Sequence, residues 1–83
     1  MIYQYKTKGT CARTIAVELD GDVIRSVRFE GGCGGNLAGI SKLVEGMRAG
    51  DVIAKFRGTR CGYKTTSYPN QLSIALEEAM AAR

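Results

Sequence analysis

The first third of the chain alternates between apolar and polar residues, which is the pattern of β-strands. Ile15, Val17 and Leu19 are separated by smaller or more polar residues, and this period of two is expected for a strand with one buried face. Two shorter runs of the same kind contain Ile2, Tyr3 and Tyr5 before it, and Val23, Val27 and Phe29 after it. The pattern predicts three strands.

The second and third strands are joined by Asp20-Gly21, a dipeptide typical of hairpin turns. A two-residue loop at these positions would place the apolar end of the third strand on the polar face. A three-residue loop that includes Asp22 keeps one face apolar apart from Arg25, and it pairs Ile15 with Val27. We therefore predict a three-residue loop with a glycine bulge.

The next segment has the spacing of an amphipathic helix. Asn36 follows two glycines and is a favourable N-cap, and Gly46 and Gly50 are expected to end or weaken the helix. The apolar residues that recur at helical spacing are Leu37, Ile40, Leu43, Val44 and Met47.

Two further helices are predicted beyond Gly50. Asp51 is a candidate cap for a short helix that Gly58 ends, and Pro69 suits the first turn of the last helix. Their expected buried residues are Val52, Ile53 and Phe56 in the short helix, and Leu72, Ala75, Leu76, Ala79 and Met80 in the last. The fold class is α+β: an N-terminal antiparallel three-stranded sheet followed by two or three helices packed on one face.

Length and composition are those of one small globular domain over residues 1–83, and a core of this size gains from a metal, a disulfide or a partner such as a second copy. Three cysteines cannot all pair within one chain, and no signal segment or membrane-spanning apolar stretch is visible. We expect a cytoplasmic protein with reduced thiols.

The net charge of +4 does not by itself indicate a nucleic-acid partner. The basic residues are spread along the chain, and the few aromatic residues do not alternate with them as they do in proteins that bind single strands. A solvated basic surface is the expectation.

The candidate chemistry lies in the three cysteines, each in a turn that contains glycine. Cys11 precedes the second strand, Cys33 follows the third, and Cys61 precedes the last helix. If the helices pack on the sheet, all three can lie at one end of the domain, where thiolates would suit zinc or an iron–sulfur cluster. The chain has no histidine, so a fourth ligand would have to be water, a carboxylate or a partner's thiol.

Other interpretations of these segments stay open. The three thiols are unrelated if the fold keeps them apart, or they form a redox dithiol relay if two of them meet. A helix N-terminus after Cys33, and Arg60 and Lys64 around Cys61, would favour thiolates. The glycine turn that ends in Gly34, Gly35 and Asn36 could also hold a phosphate or nucleotide on its backbone N–H groups.

These turns are also where the chain resembles a known family. The matching stretches are Gly9-Thr10-Cys11, Gly32-Cys33-Gly34-Gly35-Asn36-Leu37, Gly58-Thr59-Arg60-Cys61-Gly62 and Thr66-Ser67-Tyr68-Pro69-Asn70-Gln71-Leu72. Together they resemble the small TSCPD-domain family, which is named for a Thr-Ser-Cys-Pro-Asp motif and usually has four cysteines. In this chain Tyr68 stands in place of the motif cysteine and Asn70 in place of its aspartate.

The resemblance implies a relation to the C-terminal domain of vitamin B12-dependent ribonucleoside-diphosphate reductases, enzymes of DNA synthesis. It implies a metal- or thiol-binding module that is accessory to such an enzyme or to a thiol-redox protein, since the chain is too short to reduce ribonucleotides alone. Cys11, Cys33 and Cys61 would be the ligands, with Arg60 and Tyr68 beside them.

The order of the elements also resembles iron–sulfur scaffold proteins of the NifU N-terminal type, whose three cysteines correspond to Cys11, Cys33 and Cys61. Arg13 and Arg60 stand where those scaffolds use an aspartate and a histidine. This second resemblance implies the same fold and a converged three-thiol site.

Overall fold

The computed structural model of the protein describes residues 1–7, 14–31, 34–59 and 67–82, with residues 34–36 described by their backbone alone. In chain order the elements are β1 (Ile2–Lys6), β2 (Thr14–Asp20), β3 (Val23–Glu30), α1 (Gly34–Val44), α2 (Ala49–Phe56) and α3 (Tyr68–Ala82). The predicted α+β architecture, an antiparallel three-stranded sheet followed by three helices, is confirmed.

The sheet has the order β1-β2-β3, with both neighbouring pairs antiparallel. One face carries the alternating apolar residues and is covered by helices, and the other is open. The buried residues on the covered face are Tyr5, Ile15, Val17, Leu19, Ile24 and Val27. The period of two therefore identified the buried face of β2, whereas in β3 the buried residue is Ile24 and the expected Val23 is only half-buried.

The hairpin between β2 and β3 corrects the predicted loop. Asp20 pairs with Val23, so the loop has two residues, Gly21 and Asp22. Gly21 has a φ of 62°, which suits the first position of a type II′ turn. Ile15 consequently pairs with Phe29 and not with Val27.

A bulge inside the ladder, not a bulge in the loop, keeps the hairpin face apolar. Leu19 pairs with Ile24 and Glu18 pairs with Ser26, so Arg25 is the extra residue on β3. The bulge lets Ile24 and Val27 face the core although they are three positions apart, which a regular strand would not allow.

The helices cover the sheet in a simple order: α1 packs on β3, α3 packs on β1 and β2, and α2 packs against α3. Two tyrosines of β1 connect the sheet to α3. The Tyr5 hydroxyl donates to Gln71 Oε1 at 3.0 Å and the Tyr3 hydroxyl donates to Glu78 Oε1 at 2.8 Å. Helix α3 therefore runs antiparallel to β1 along the sheet.

The limits of α1 differ from those predicted at both ends. The helix begins at Gly34, so Asn36 lies within its first turn and is not the N-cap. It ends at Val44, and Gly46 follows with a φ of 83°, as expected of a glycine after a helix. Leu43 is 67% exposed, which corrects its assignment to the core.

Helix α2 begins before the predicted Asp51 cap. Its N-cap is Arg48, and Asp51 lies in the first turn. The earlier start follows from pairing with β3, because the Ala49 N–H donates to Asp22 O at 2.8 Å and Arg48 bridges to Val23. Gly50 is accordingly a helical residue, not a terminator of α1.

The last helix agrees with the sequence pattern. It begins at Tyr68, so Pro69 lies in its first turn, and its stripe of Leu72, Ala75, Leu76 and Ala79 is fully buried. Within the described residues, no helix has both the length and the apolar character needed to cross a membrane.

Candidate functional site

Most of the predicted site lies outside the described residues. This holds for Cys11, Cys33, Cys61 and Arg60. Gly34, Gly35 and Asn36 form the beginning of α1 and are described by their backbone only. Tyr68 is described in full, and so are Gly31 before Cys33 and the residues on both sides of the other two cysteine segments.

Those flanking residues meet at one end of the domain. Lys6 at the end of β1 pairs with Thr14 at the start of β2, and Thr14 pairs with Glu30 at the end of β3. Paired residues of neighbouring antiparallel strands lie about 4.5–5.5 Å apart. The segment with Cys11 therefore leaves and rejoins the sheet beside the point from which the segment with Cys33 departs. We call this edge the cysteine end of the domain.

The start of α3 reaches the same end through an aromatic contact. The rings of Phe29 and Tyr68 meet edge to face, with their centroids 6.1 Å apart and their planes at 79°. Phe29 directly precedes Glu30, and the Tyr68 hydroxyl is buried. In this chain the position of the family's fourth cysteine is therefore occupied by a packed aromatic ring.

Ser67 closes the segment that contains Cys61. Its hydroxyl donates to Thr59 O at 2.7 Å across the segment and accepts from the Asn70 N–H at 3.2 Å, as an N-cap does. The Asn70 side chain accepts a hydrogen bond from the Gly58 N–H at 2.8 Å. Residues 58–59 and 67–70 are thus held together, and both ends of the segment lie beside the cysteine end.

The sequence prediction did not assign these roles to Ser67 and Asn70. The role of Ser67 was visible in the sequence, because serine is favoured as an N-cap and Pro69 follows it in the first turn. The bonds to Thr59 and Gly58 were not visible, since they join positions 8 and 12 residues apart.

The predicted phosphate site at Gly34, Gly35 and Asn36 stays a prediction. These residues form the first turn of α1, which contains no acidic residue. The first N–H groups of a helix have no partner within the helix, so the backbone position is compatible with an anion.

No cluster of metal-binding side chains occurs in the described part of the chain: three or more His, Cys, Asp or Glu residues do not come together there. A metal centre of the predicted kind therefore depends on the three cysteines.

Comparison with known proteins adds a family to this arrangement. No curated protein and no solved structure matches the chain, and the resemblance to iron–sulfur scaffolds of the NifU type finds no support. The family model described as TSCPD domain matches residues 1–80. This range includes all three cysteine segments and both Ser67 and Asn70, which bond to Thr59 and Gly58. TSCPD domains occur in proteins related to ribonucleotide reductases. With the sheet, α1, α2 and most of α3 inside the match, the chain belongs to the TSCPD-domain family.

Proposed function

We propose that Cys11, Cys33 and Cys61 form one metal-binding thiol site at the cysteine end of the domain. The protein would act as an accessory module for a ribonucleotide reductase-related enzyme. The observation that supports this site is the row Lys6–Thr14–Glu30 together with the Ser67–Thr59 bond. Each cysteine belongs to a segment that begins and ends there.

The short connections favour convergence. Cys33 is two residues from Gly31 and one from Gly34, whereas Cys11 is three residues from Thr14. Since a chain extends at most about 3.6 Å per residue, neither thiol can be far from the end of the sheet. Cys61 is two residues from Thr59, which Ser67 holds beside α3.

The charge distribution favours thiolates over thiols. The segments 8–13 and 60–66 carry Lys8, Arg13, Arg60 and Lys64 and no acidic residue. Nearby cations stabilise the deprotonated sulfur that binds metal. Three thiolates fit zinc or an iron–sulfur cluster, with one position left for another ligand.

Metal analysis of protein purified without air tests the site. We expect about one zinc ion, or one iron–sulfur cluster, per chain, and each single Cys→Ser variant should lose most of it. Ser41→Ala, a change on α1 eight residues after Cys33, is the control substitution. Full-length protein without metal, or variants that retain it, would contradict the proposal.

Substitution of Tyr68 tests whether the family's fourth ligand was lost here. Tyr68→Cys should tighten zinc or cobalt binding and give a tetrahedral thiolate spectrum with cobalt, while Tyr68→Ser, which removes the same ring, should not. Both variants should lose about 1–3 kcal/mol of stability without metal, because the Phe29 contact is removed. Equal metal affinities in the two variants would place Tyr68 away from the thiols.

A redox dithiol relay is the second candidate, and Tyr68 favours it. With a packed ring at the position of the fourth cysteine, the site lacks one thiolate of a closed structural centre and its sulfurs stay open to exchange. Oxidation should then form a disulfide between two of Cys11, Cys33 and Cys61 that thioredoxin reduces. Mass spectrometry distinguishes the candidates: a stoichiometric metal without disulfide supports the first, and a reversible disulfide without metal supports the second.

A further inference from the structure

A groove runs between β3 and α1, on the side of the domain away from β1. Its volume is about 320 Å³, which is at the small end of the range for ligand pockets. The residues that line it are Val27, Arg28, Phe29, Gly31, Leu37, Ala38 and Ser41. All of them belong to the described part of the chain. One of them, Gly31, precedes Cys33 by two residues in the sequence.

The backbone of β3 points into this groove at alternate residues. Leu19 exchanges hydrogen bonds with Met1 on the β1 side of the sheet. Because strand backbones alternate, Val17 and Ile15 also direct their N–H and C=O groups toward β1. Their partners on β3 are Val27 and Phe29.

Val27 and Phe29 therefore direct their N–H and C=O groups away from β2, toward the groove. No described residue forms a backbone hydrogen bond to them on that side. Four strand-pairing groups are thus presented along one wall of the groove, and helix α1 forms the opposite wall.

The first half of the same edge already pairs with a short segment of backbone. The Ile24 N–H donates to Met47 O at 2.9 Å, Ile24 O accepts from the Gly46 N–H at 2.8 Å, and Arg48 bridges to Val23. The segment between α1 and α2 is therefore an antiparallel partner for the beginning of β3. The groove continues this pairing edge beyond the bulge.

We infer that the groove between β3 and α1 binds an extended peptide of a partner protein as an added strand. Main-chain bonds to Val27 and Phe29 would supply affinity, as in other cases of strand addition to a sheet edge. Ala38 and Ser41 are small enough to leave room beside the strand.

The charge at the edge specifies one feature of the peptide. Arg28 is the only charged residue that lines the groove, and its side chain is exposed on the open face of the sheet. A residue directly across from it in an added strand would lie on the same face, where an opposite charge is favourable. The preferred peptide should therefore carry an acidic residue at that position.

Selection from a displayed library of random heptapeptides against the wild-type protein tests this inference. Ala38→Trp fills the groove from an exposed helical position, and Leu43→Trp is its matched control on the same helix outside the groove. Peptides with alternating apolar residues and one acidic residue should be enriched on the wild type and on Leu43→Trp, and lost on Ala38→Trp. No enrichment over Ala38→Trp would overturn the inference.

One enriched peptide, synthesised with blocked ends, then maps the site by NMR. The amides of Val27 and Phe29 should shift and exchange more slowly on binding. Arg28→Glu should weaken binding about 3- to 10-fold, and a peptide with lysine in place of its acidic residue should recover it. Arg25→Glu, on the same strand outside the groove, should have little effect. Shifts confined to other residues would overturn the inference.

Two more outcomes distinguish this inference from dimerisation through the same edge and from the thiol proposal. A dimer that Ala38→Trp abolishes would show that the edge binds a second copy of the chain, which overturns a peptide partner. The groove residues include no cysteine, so the Cys→Ser variants should lose metal but still bind the peptide. Peptide binding is therefore measured independently of the metal site. Failure of the thiol proposal and failure of this one are thus distinguishable.

Discussion

At the scale of single residues, the Ser67 hydroxyl joins two segments of the chain. It caps α3 through the Asn70 N–H, and it binds Thr59 O across the segment that contains Cys61. The residue is buried, with 7% of its surface exposed. A small hydroxyl therefore joins the end of the α2 region to the start of α3.

Replacing Ser67 tests this role. Ser67→Ala should lower the free energy of unfolding by about 1–2 kcal/mol, because a helix cap is lost and Thr59 O loses its donor. Ser41→Ala is the control, since Ser41 only bonds back to Leu37 O within α1, and it should change stability by less than about 0.5 kcal/mol. Equal losses in urea unfolding would contradict the assignment.

Tyr5 is a residue whose ionisation is coupled to folding. Burial, followed by the charge of Glu78, raises the pKa of Tyr5 above the ordinary value of 10.0. The folded state thus favours the neutral phenol. Its contribution to stability is full below about pH 10 and is lost as the pH rises past the folded-state pKa.

Tyr5→Phe should therefore have two effects. Near pH 7 it should cost about 1–2 kcal/mol, because Gln71 Oε1, in a residue only 4% exposed, loses its hydroxyl donor. Above about pH 10 the variant should lose less additional stability than the wild type does. Urea unfolding across this pH range measures both effects, and parallel pH profiles for the two proteins would contradict the coupling.

At the scale of elements, the bulge in β3 decides which side chains reach the core. Ile24, Val27 and Phe29 all face the helices because the bulge takes Arg25 out of the alternation between the first two. Arg25 itself is exposed and pairs with Asp20 at 3.5 Å. The bulge, and not the Arg25 side chain, therefore keeps these residues on one face.

Deletion and substitution of Arg25 separate these two contributions. Deleting the residue should cost less than about 1 kcal/mol, since it leaves Ile24 and Val27 two positions apart and a regular strand places them on one face. Arg25→Ala keeps the bulge, loses one exposed ion pair, and should stay within about 0.5 kcal/mol of the wild type. A deletion variant that loses more than about 2 kcal/mol in urea unfolding would refute the account.

At the scale of the whole molecule, the antiparallel sheet sorts the connections between its two ends. The β2–β3 hairpin and the Met47–Ala49 pairing lie at one end, and the three cysteine segments depart from the other. The eight-residue strand β3 separates these ends by about 23 Å at 3.3 Å per residue. Thiols at the same end should therefore react together, and thiols at opposite ends should not.

Chemical cross-linking tests this arrangement. A short bis-maleimide should join Cys33 to Cys11 or to Cys61 in high yield in the reduced, metal-free protein. Moving a thiol to the hairpin, in the double variant Cys11→Ser and Asp22→Cys, should give no cross-link between positions 22 and 33. Because Cys61 remains in both proteins, only the product that joins positions 22 and 33 is compared. A yield equal to that of the wild-type product joining positions 11 and 33 would show that the cysteine segments are not grouped as proposed.

The strands, the helices and most of the core could be predicted from local patterns. The alternation in β2 and the stripe of α3 depend on each residue's own neighbours in the chain, and burial follows that periodicity directly. Leu43 in α1 and Ile2 in β1 were exceptions, since both fit the apolar pattern of their elements but are exposed. The candidate site could be predicted only as three turns, because cysteine spacing does not state which turns meet.

Partner choice across the chain needed the folded molecule. The bulge at Arg25 arises because Ile24 and Val27 both face the core. The start of α2 depends on hydrogen bonds to β3. The contact of Tyr68 with Phe29 and the groove beside Val27 and Phe29 likewise join distant parts of the chain. Local periodicity thus established the elements, and the local order of residues established the family motif. Register, the grouping of the cysteine segments and the open edge of β3 arose from packing, because non-local contacts leave no period in the sequence.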